Sequence, residues 1–107
     1  LLKVESYLSA EKEKRIYKVY GQVFFASADS FFNSFDFKEV VQHVAIDLSK
    51  AHFWDLSAVD ALDKVVMKFR REGTEIDLIG MNLASATIVD RLGVHDKPNA
   101  LELLTNH

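Results

Sequence analysis

The sequence contains no cysteine. That absence excludes a disulfide framework, a thiolate zinc site and a cysteine nucleophile, and it fits a reducing compartment. Proline occurs once, at Pro98, and the four glycines (Gly21, Gly73, Gly80 and Gly93) are dispersed. A Gly-rich phosphate loop and a dinucleotide-binding fingerprint are therefore both missing. No uninterrupted apolar run reaches the roughly 18 residues that a membrane-spanning helix needs. The first residues do not read as a secretory leader, and a start at Leu1 instead of Met suits either removal of a tag or a domain excised from a longer polypeptide. Positive charge is also scarce. Thirteen Lys and Arg stand against sixteen Asp and Glu, a formal net charge of -3, and the longest cationic cluster is Lys68, Arg70 and Arg71. Nucleic-acid binding leaves a basic footprint, so no nucleic-acid partner is expected. The four histidines, His43, His52, His95 and His107, show no metal-ligand spacing, and no metal site is expected.

What is present is a large apolar fraction, 49% of 107 residues. That is one domain's worth of core, with no linker, repeat or low-complexity tract to divide it. Residues 3–8 alternate as a short strand, Glu11 to Arg15 reads as a turn, and residues 16–25 form a β-rich stretch with a bulge or bend at Gly21. Phe31, Phe32 and Phe35 recur at helical spacing behind Ser27 as cap. Residues 43–48 read as a strand buried on both faces. The best amphipathic helix covers about 58–72. Val59, Leu62, Val66 and Phe69 form its apolar stripe, Asp60, Asp63, Lys64, Lys68 and Arg71 point elsewhere, and Gly73 ends it. Its start reads as a capping box of Ser57 and Asp60. Residues 75–80 form another buried strand. A helix capped by Asn82 then runs from Leu83 to Leu92, closed by Gly93, and the tail 99–107 reads as one loosely docked turn.

The order β-β-α-β-α-β-α implies right-handed crossovers and parallel pairing, with an antiparallel strand at one edge. The expected fold is therefore α/β, a small sandwich with helices packed on a mostly parallel sheet of about four to five strands.

The most informative segment runs from Asp47 to Asp60, a strand ending in Asp-x-Ser, an aromatic loop, and a second Asp-x-Ser at a helix start. In open parallel sheets functional groups gather at the C-terminal ends of strands, which would place Asp47, Ser49, Asp55 and Ser57 together. Asp47 and Asp55 could be paired carboxylates for acid–base chemistry. The alternative, that both accept backbone amides as Asp does in turns, is preferred. No catalytic residue is assigned.

Asp47-Leu-Ser followed by Asp55-Leu-Ser-Ala58 resembles the central motif of STAS domains, shared by sulfate transporters and anti-sigma factor antagonists. The antagonist segment typically reads Asp-Ser-Ser-Gly and is phosphorylated on its second serine, the position of Ser57. This chain departs from that pattern at Leu56 and at Ala58. Three further stretches resemble the sulfate-permease (SulP) branch: Tyr17 to Asp29 with its Phe-Phe pair, Phe69 to Asn82, and Leu92-Gly93, together spanning about residues 15–95.

The resemblance implies a non-catalytic regulatory domain at the cytoplasmic face of a bacterial inner membrane. Its partners would be an upstream transmembrane domain of the same polypeptide, a second copy, or a soluble regulator. For Ser57 it implies a regulatory phosphorylation site, against the simpler reading of a helix cap. No cofactor is expected, and the one seat for a nucleotide phosphate is the helix start at Ser57 and Ala58. Because one of the adjacent pair Phe31 and Phe32 should be poorly covered, these two, with Trp54, are the candidate interaction surface.

Overall fold

A computed structural model describes residues 1–105. The order is β1 (Lys3–Leu8), β2 (Lys14–Val23), α1 (Ala28–Phe32), β3 (His43–Phe53), α2 (Leu56–Arg71), β4 (Glu75–Ile79), α3 (Leu83–Leu92) and α4 (Ala100–Thr105). The four strands form one sheet in the order β1-β2-β3-β4. β1 pairs antiparallel with β2, and β2, β3 and β4 run parallel. The α/β architecture with an antiparallel edge strand matches the expectation. His107 lies outside the described residues.

β3 departs most from the sequence reading. It continues through Phe53, so Asp47, Ser49 and His52 lie within a strand and not at its end. The pairing of Lys18 with Asp47 and of Tyr20 with Lys50 leaves one extra residue on β3, a bulge. Before it Val44, Ile46 and Leu48 point into the core; after it Ala51 and Phe53 do. A strand alternates its side chains with period two, so only the extra residue turns Lys50 and His52 outward. The irregularity expected at Gly21 therefore sits two residues earlier. Gly21 itself has φ 102°, and a Cβ there would lie 2.4 Å from the Leu1 carbonyl oxygen.

β2 ends at Val23, which leaves Phe24 and Phe25 in the following turn instead of at the end of the β-rich stretch expected over residues 16–25. β4 is an edge strand, not a buried one: Ile76 and Leu78 are half-buried, while Glu75, Asp77 and Ile79 are exposed. Beyond Asp47 β3 has no strand neighbour on that side. α3 takes that place, because Asn82 Nδ2 donates to the Ala51 carbonyl (2.7 Å) and Phe53 N donates to Ser85 Oγ (3.0 Å).

The core is aromatic. Phe31, Phe35, Phe37, Phe53, Phe69 and Tyr17 stack edge-on or tilted, with centroids 4.6–6.3 Å apart. Phe31 is fully buried, so it belongs to this cluster and not to an interaction surface. α1 is shorter than expected, ending at Phe32, and Ser27 stands at its N-cap position without a side-chain bond to it. The Ser27 hydroxyl instead accepts from Phe24 N and donates to the Gln22 carbonyl, closing the turn after β2.

α2 carries the apolar stripe as read, and its C-terminus closes with Gly73 at φ 80°. Gly73 N donates to Arg70 O and Thr74 N to Phe69 O, both at 3.0 Å.

Arg15, on β2, and Glu39 form a two-pronged pair at 2.9 and 2.5 Å, with both side chains about one-fifth exposed. The Arg15 hydrogen bonds hold the Glu39 carboxyl below its ordinary value. A carboxyl depressed in the folded state contributes stability above its unfolded value, and that contribution is lost as pH falls through the folded one. Glu39→Gln should therefore lower stability by about 1 kcal/mol at neutral pH. Urea midpoints should converge with wild type as pH falls below the ordinary glutamate value and through the depressed folded one. A gap that persisted at the acidic end would show that the pair's charge contributes nothing.

Truncation in the aromatic cluster costs more. Phe31→Ala should destabilise by about 3–5 kcal/mol in the same titrations, and a loss under about 1 kcal/mol would mean the cluster closes over the gap.

Candidate functional site

At the C-terminal end of the sheet two chain reversals meet, β2 into α1 and β3 into α2. Asp55 joins them. Its Oδ1 accepts from Ala58 N and its Oδ2 from Phe25 N, both at 2.9 Å. The first bond makes Asp55, not Ser57, the N-cap of α2. Asp55 is extended at φ -149°, as an N-cap requires, because the chain arrives directly from a strand. The second bond, across 30 residues, fixes where the chain leaves β2.

Ser57 therefore sits inside the first turn, exposed, and its hydroxyl makes no hydrogen bond to the described residues. Ala58 behind it is fully buried. At the nucleotide seat suggested by the sequence, the Asp55 carboxylate already fills the first turn of the helix and holds the Ala58 amide.

Asp47 and Asp55 do not converge as an acid–base pair. Asp47 Oδ1 accepts from Ser49 N at 2.9 Å, and this bond and the Ser49 side chain hold its carboxyl below the ordinary range. Both carboxylates thus serve backbone amides. Ser49 lies exposed on the outer side of the β3 bulge, away from Ser57.

Of the three aromatics proposed for a surface, Trp54 is exposed at 59% and Phe31 is buried. Phe32 is half-buried, beneath Phe37 (5.2 Å between centroids) and Lys68, whose Nζ lies 5.5 Å from its ring. Two residues the sequence reading missed complete the patch: Phe25, 73% exposed, and Leu56, 61% exposed. Their neighbours in sequence drew the attention, yet both flank Asp55 in space. Two grooves border them. One, about 420 Å³, runs between α1 and α2 past Phe25, Asp29, Phe32, Ser57, Asp60 and Lys64. The other, about 290 Å³, runs between α2 and α3 past Leu56, Ser57, Asp60 and Leu92.

A second missed feature is Asp63, 2% exposed. Its carboxylate accepts from Val94 N, His95 N and His95 Nδ1 at 3.0, 3.0 and 2.5 Å. Arg70 holds the same loop by donating to the His95 carbonyl. The spacing was legible, since Asp63 stands four residues after Val59 and three before Val66, on the apolar stripe. His95 is thus a structural side chain, and His43 pairs with Glu75 at 3.0 Å. Among the described residues no group of three or more potential metal ligands occurs.

A four-stranded sheet with one antiparallel edge, carrying its motif loop at a helix start, is the architecture of the STAS class of domains. The chain belongs to the STAS domain family, whose sequence profile matches residues 7–105. It is 45% identical over 92 residues to the Bacillus subtilis (strain 168) protein named "Putative sulfate transporter YbaR". That alignment covers 85% of this chain and 19% of YbaR, so the chain spans about a fifth of that relative. The crystal structure of an antisigma-factor antagonist STAS domain from Rhodobacter sphaeroides superposes with a TM-score of 0.76 at 53% identity, covering 81% of this chain and 95% of that one. The STAS domain of a SulP transporter from Vibrio cholerae superposes with a TM-score of 0.62 over 87% of this chain and 69% of that one; at 20% identity it shows the fold alone. The chain is thus a STAS domain related both to transporter STAS domains and to anti-sigma factor antagonists.

Moving the cap from Ser57 to Asp55 has a measurable consequence. Asp55→Ala removes two amide acceptors and should lower stability by about 1–2 kcal/mol. Ser57→Ala, at an exposed position without a partner, should change it by less than about 0.5 kcal/mol. Chemical denaturation of both variants checks the assignment, and the reverse order of effects would return the cap to Ser57.

Proposed function

We propose that the chain is the regulatory and interaction module of a SulP-type anion transporter, joined to an upstream membrane domain of the same polypeptide at the cytoplasmic face of a bacterial inner membrane. The observation that carries this reading is the 45% identity to YbaR over 92 residues. The departures at Leu56 and Ala58 from the phosphorylated antagonist motif support it. Selection of the anion, whether sulfate, bicarbonate or dicarboxylate, belongs to the membrane domain. In this reading the module is non-catalytic, and the engagement of its two motif carboxylates by backbone amides supports that. Its means of action is the apolar patch of Phe25, Trp54 and Leu56, which a partner can cover.

A second reading is favoured by the 53% identity to the R. sphaeroides domain. In it the chain is a free-standing anti-sigma factor antagonist controlled at Ser57. The serine is exposed, and a phosphate there would add up to about -2 charge beside Asp55 and Asp60, repelling an acidic partner.

Sequencing the gene upstream of Leu1 separates the two. The transporter reading expects several apolar segments of about 18 or more residues in the same frame. A start codon just before Leu1, beside a kinase gene whose product labels wild type but not Ser57→Ala, would overturn it in favour of the antagonist.

A further inference from the structure

We propose that the outer face of the sheet, around Lys50 and His52, docks on the anionic lipid headgroups of a membrane surface, which rests on the reading of the chain as a module tethered to a membrane domain. A groove of about 590 Å³ opens there, lined by Leu1, Leu2, Gly21, Phe24, Lys50 and His52. The extra residue in β3 creates its character, because it turns Lys50 and His52 away from the core and leaves both exposed.

Charge around this groove is one-sided. The register pairs Lys3 with Tyr20, Glu5 with Lys18, Lys18 with Asp47 and Tyr20 with Lys50, so all of these share the face opposite the core. The two acids among them are engaged, Glu5 by Lys3 at 2.7 Å and Asp47 by the Ser49 amide at 2.9 Å. Glu75 and Asp77 stand on the same face but across from His43 and Ala45, toward the opposite end of β3 from Lys50. Among the described residues Lys50 and His52 form no ion pair, and no acidic side chain lines their groove.

The chain enters the domain beside this groove. Leu2 packs against the core, and Gly21, having no side chain, leaves room for the Leu1 backbone, so the first residues are held in the groove wall. In the tethered reading the polypeptide before Leu1 comes from the bilayer, and the groove is the part of the domain presented to it. Trp54, 59% exposed, completes the rim 6.2 Å from His52. An indole ring and aliphatic side chains beside cations are the composition of a contact at headgroup level. A soluble acidic protein would be served by the cations alone. The apolar rim around them fits a surface whose charge and hydrocarbon lie in layers. The acids of the α1–α2 groove, Asp29 and Asp60, lie on the helical side, away from that surface.

Trp54 is the chain's single tryptophan, so its fluorescence reports on this rim. Phosphatidylcholine vesicles containing phosphatidylglycerol should shift its emission to the blue and carry the chain in flotation. Vesicles of phosphatidylcholine alone should do neither. Lys50→Glu should weaken binding by about tenfold or more, and added salt should weaken that of the wild type. Lys38→Glu makes the same change of net charge in the turn before β3, at the other end of that strand, and should bind as wild type does.

Absence of binding, equal binding to both kinds of vesicle, or equal loss in both variants would overturn the headgroup contact. Displacement by inorganic phosphate at matched ionic strength would overturn it in favour of a soluble anion. A Trp54 shift produced by the membrane domain in neutral detergent, and not by anionic vesicles, would overturn it in favour of a protein contact. The vesicle measurement uses this chain alone, so its failure leaves the transporter reading to be judged by the upstream gene sequence.

Discussion

Two backbone amides, those of Phe25 and Ala58, point at one carboxylate, and the geometry of the whole sheet end follows from it. Each amide lies where a regular element has just ended or begun and has no ladder partner. A serine at position 55 would offer one oxygen, and an asparagine one acceptor and one donor; the carboxylate offers an acceptor to each. Asp55 thus fixes the angle at which α2 leaves β3 and the path by which the chain leaves β2. The exposed ring of Phe25 and the exposed side chains of Trp54 and Leu56 are held in place by a bond that none of them makes with its side chain.

The core supplies the rigidity behind that end. Tyr17, Phe31, Phe35, Phe37, Phe53 and Phe69 interlock from β2, α1, the segment after it, β3 and α2, so no one of these elements can shift without disturbing the rings of another. Asp63 performs the equivalent task between α2 and the loop after α3, where three donors from that loop converge on one buried carboxylate. The domain uses carboxylates as joints, and its apolar side chains as the body between them.

Much of this was legible in the sequence. The periodicity of Val59, Leu62, Val66 and Phe69, the Asn82 cap and the order of elements emerged from local pattern, because those features are local. What failed was non-local. Asp55 and Ser57 both suit a helix cap, and the choice between them depends on a strand that continues to Phe53 and on an amide 30 residues away. The extra residue in β3 leaves only a change of parity, from Ile46 and Leu48 to Ala51 and Phe53, which a reading of residues 43–48 alone stops short of. Asp63 sat on the apolar stripe, but a carboxylate is expected outside unless the loop that will bond it is already known. Phe31 and Phe32 looked equivalent in sequence; which of the two the core takes depends on Phe53, Phe35 and Lys68.

β3 outruns β4 by six residues. A bare strand edge of that length, beside an exposed aromatic patch, is the kind of surface on which chains nucleate cross-β association. Asn82 and Ser85 occupy two of its backbone groups with side chains from a helix, which no incoming strand can displace without unwinding the start of α3. A domain with exposed apolar side chains can in this way keep the adjoining backbone closed to indiscriminate pairing.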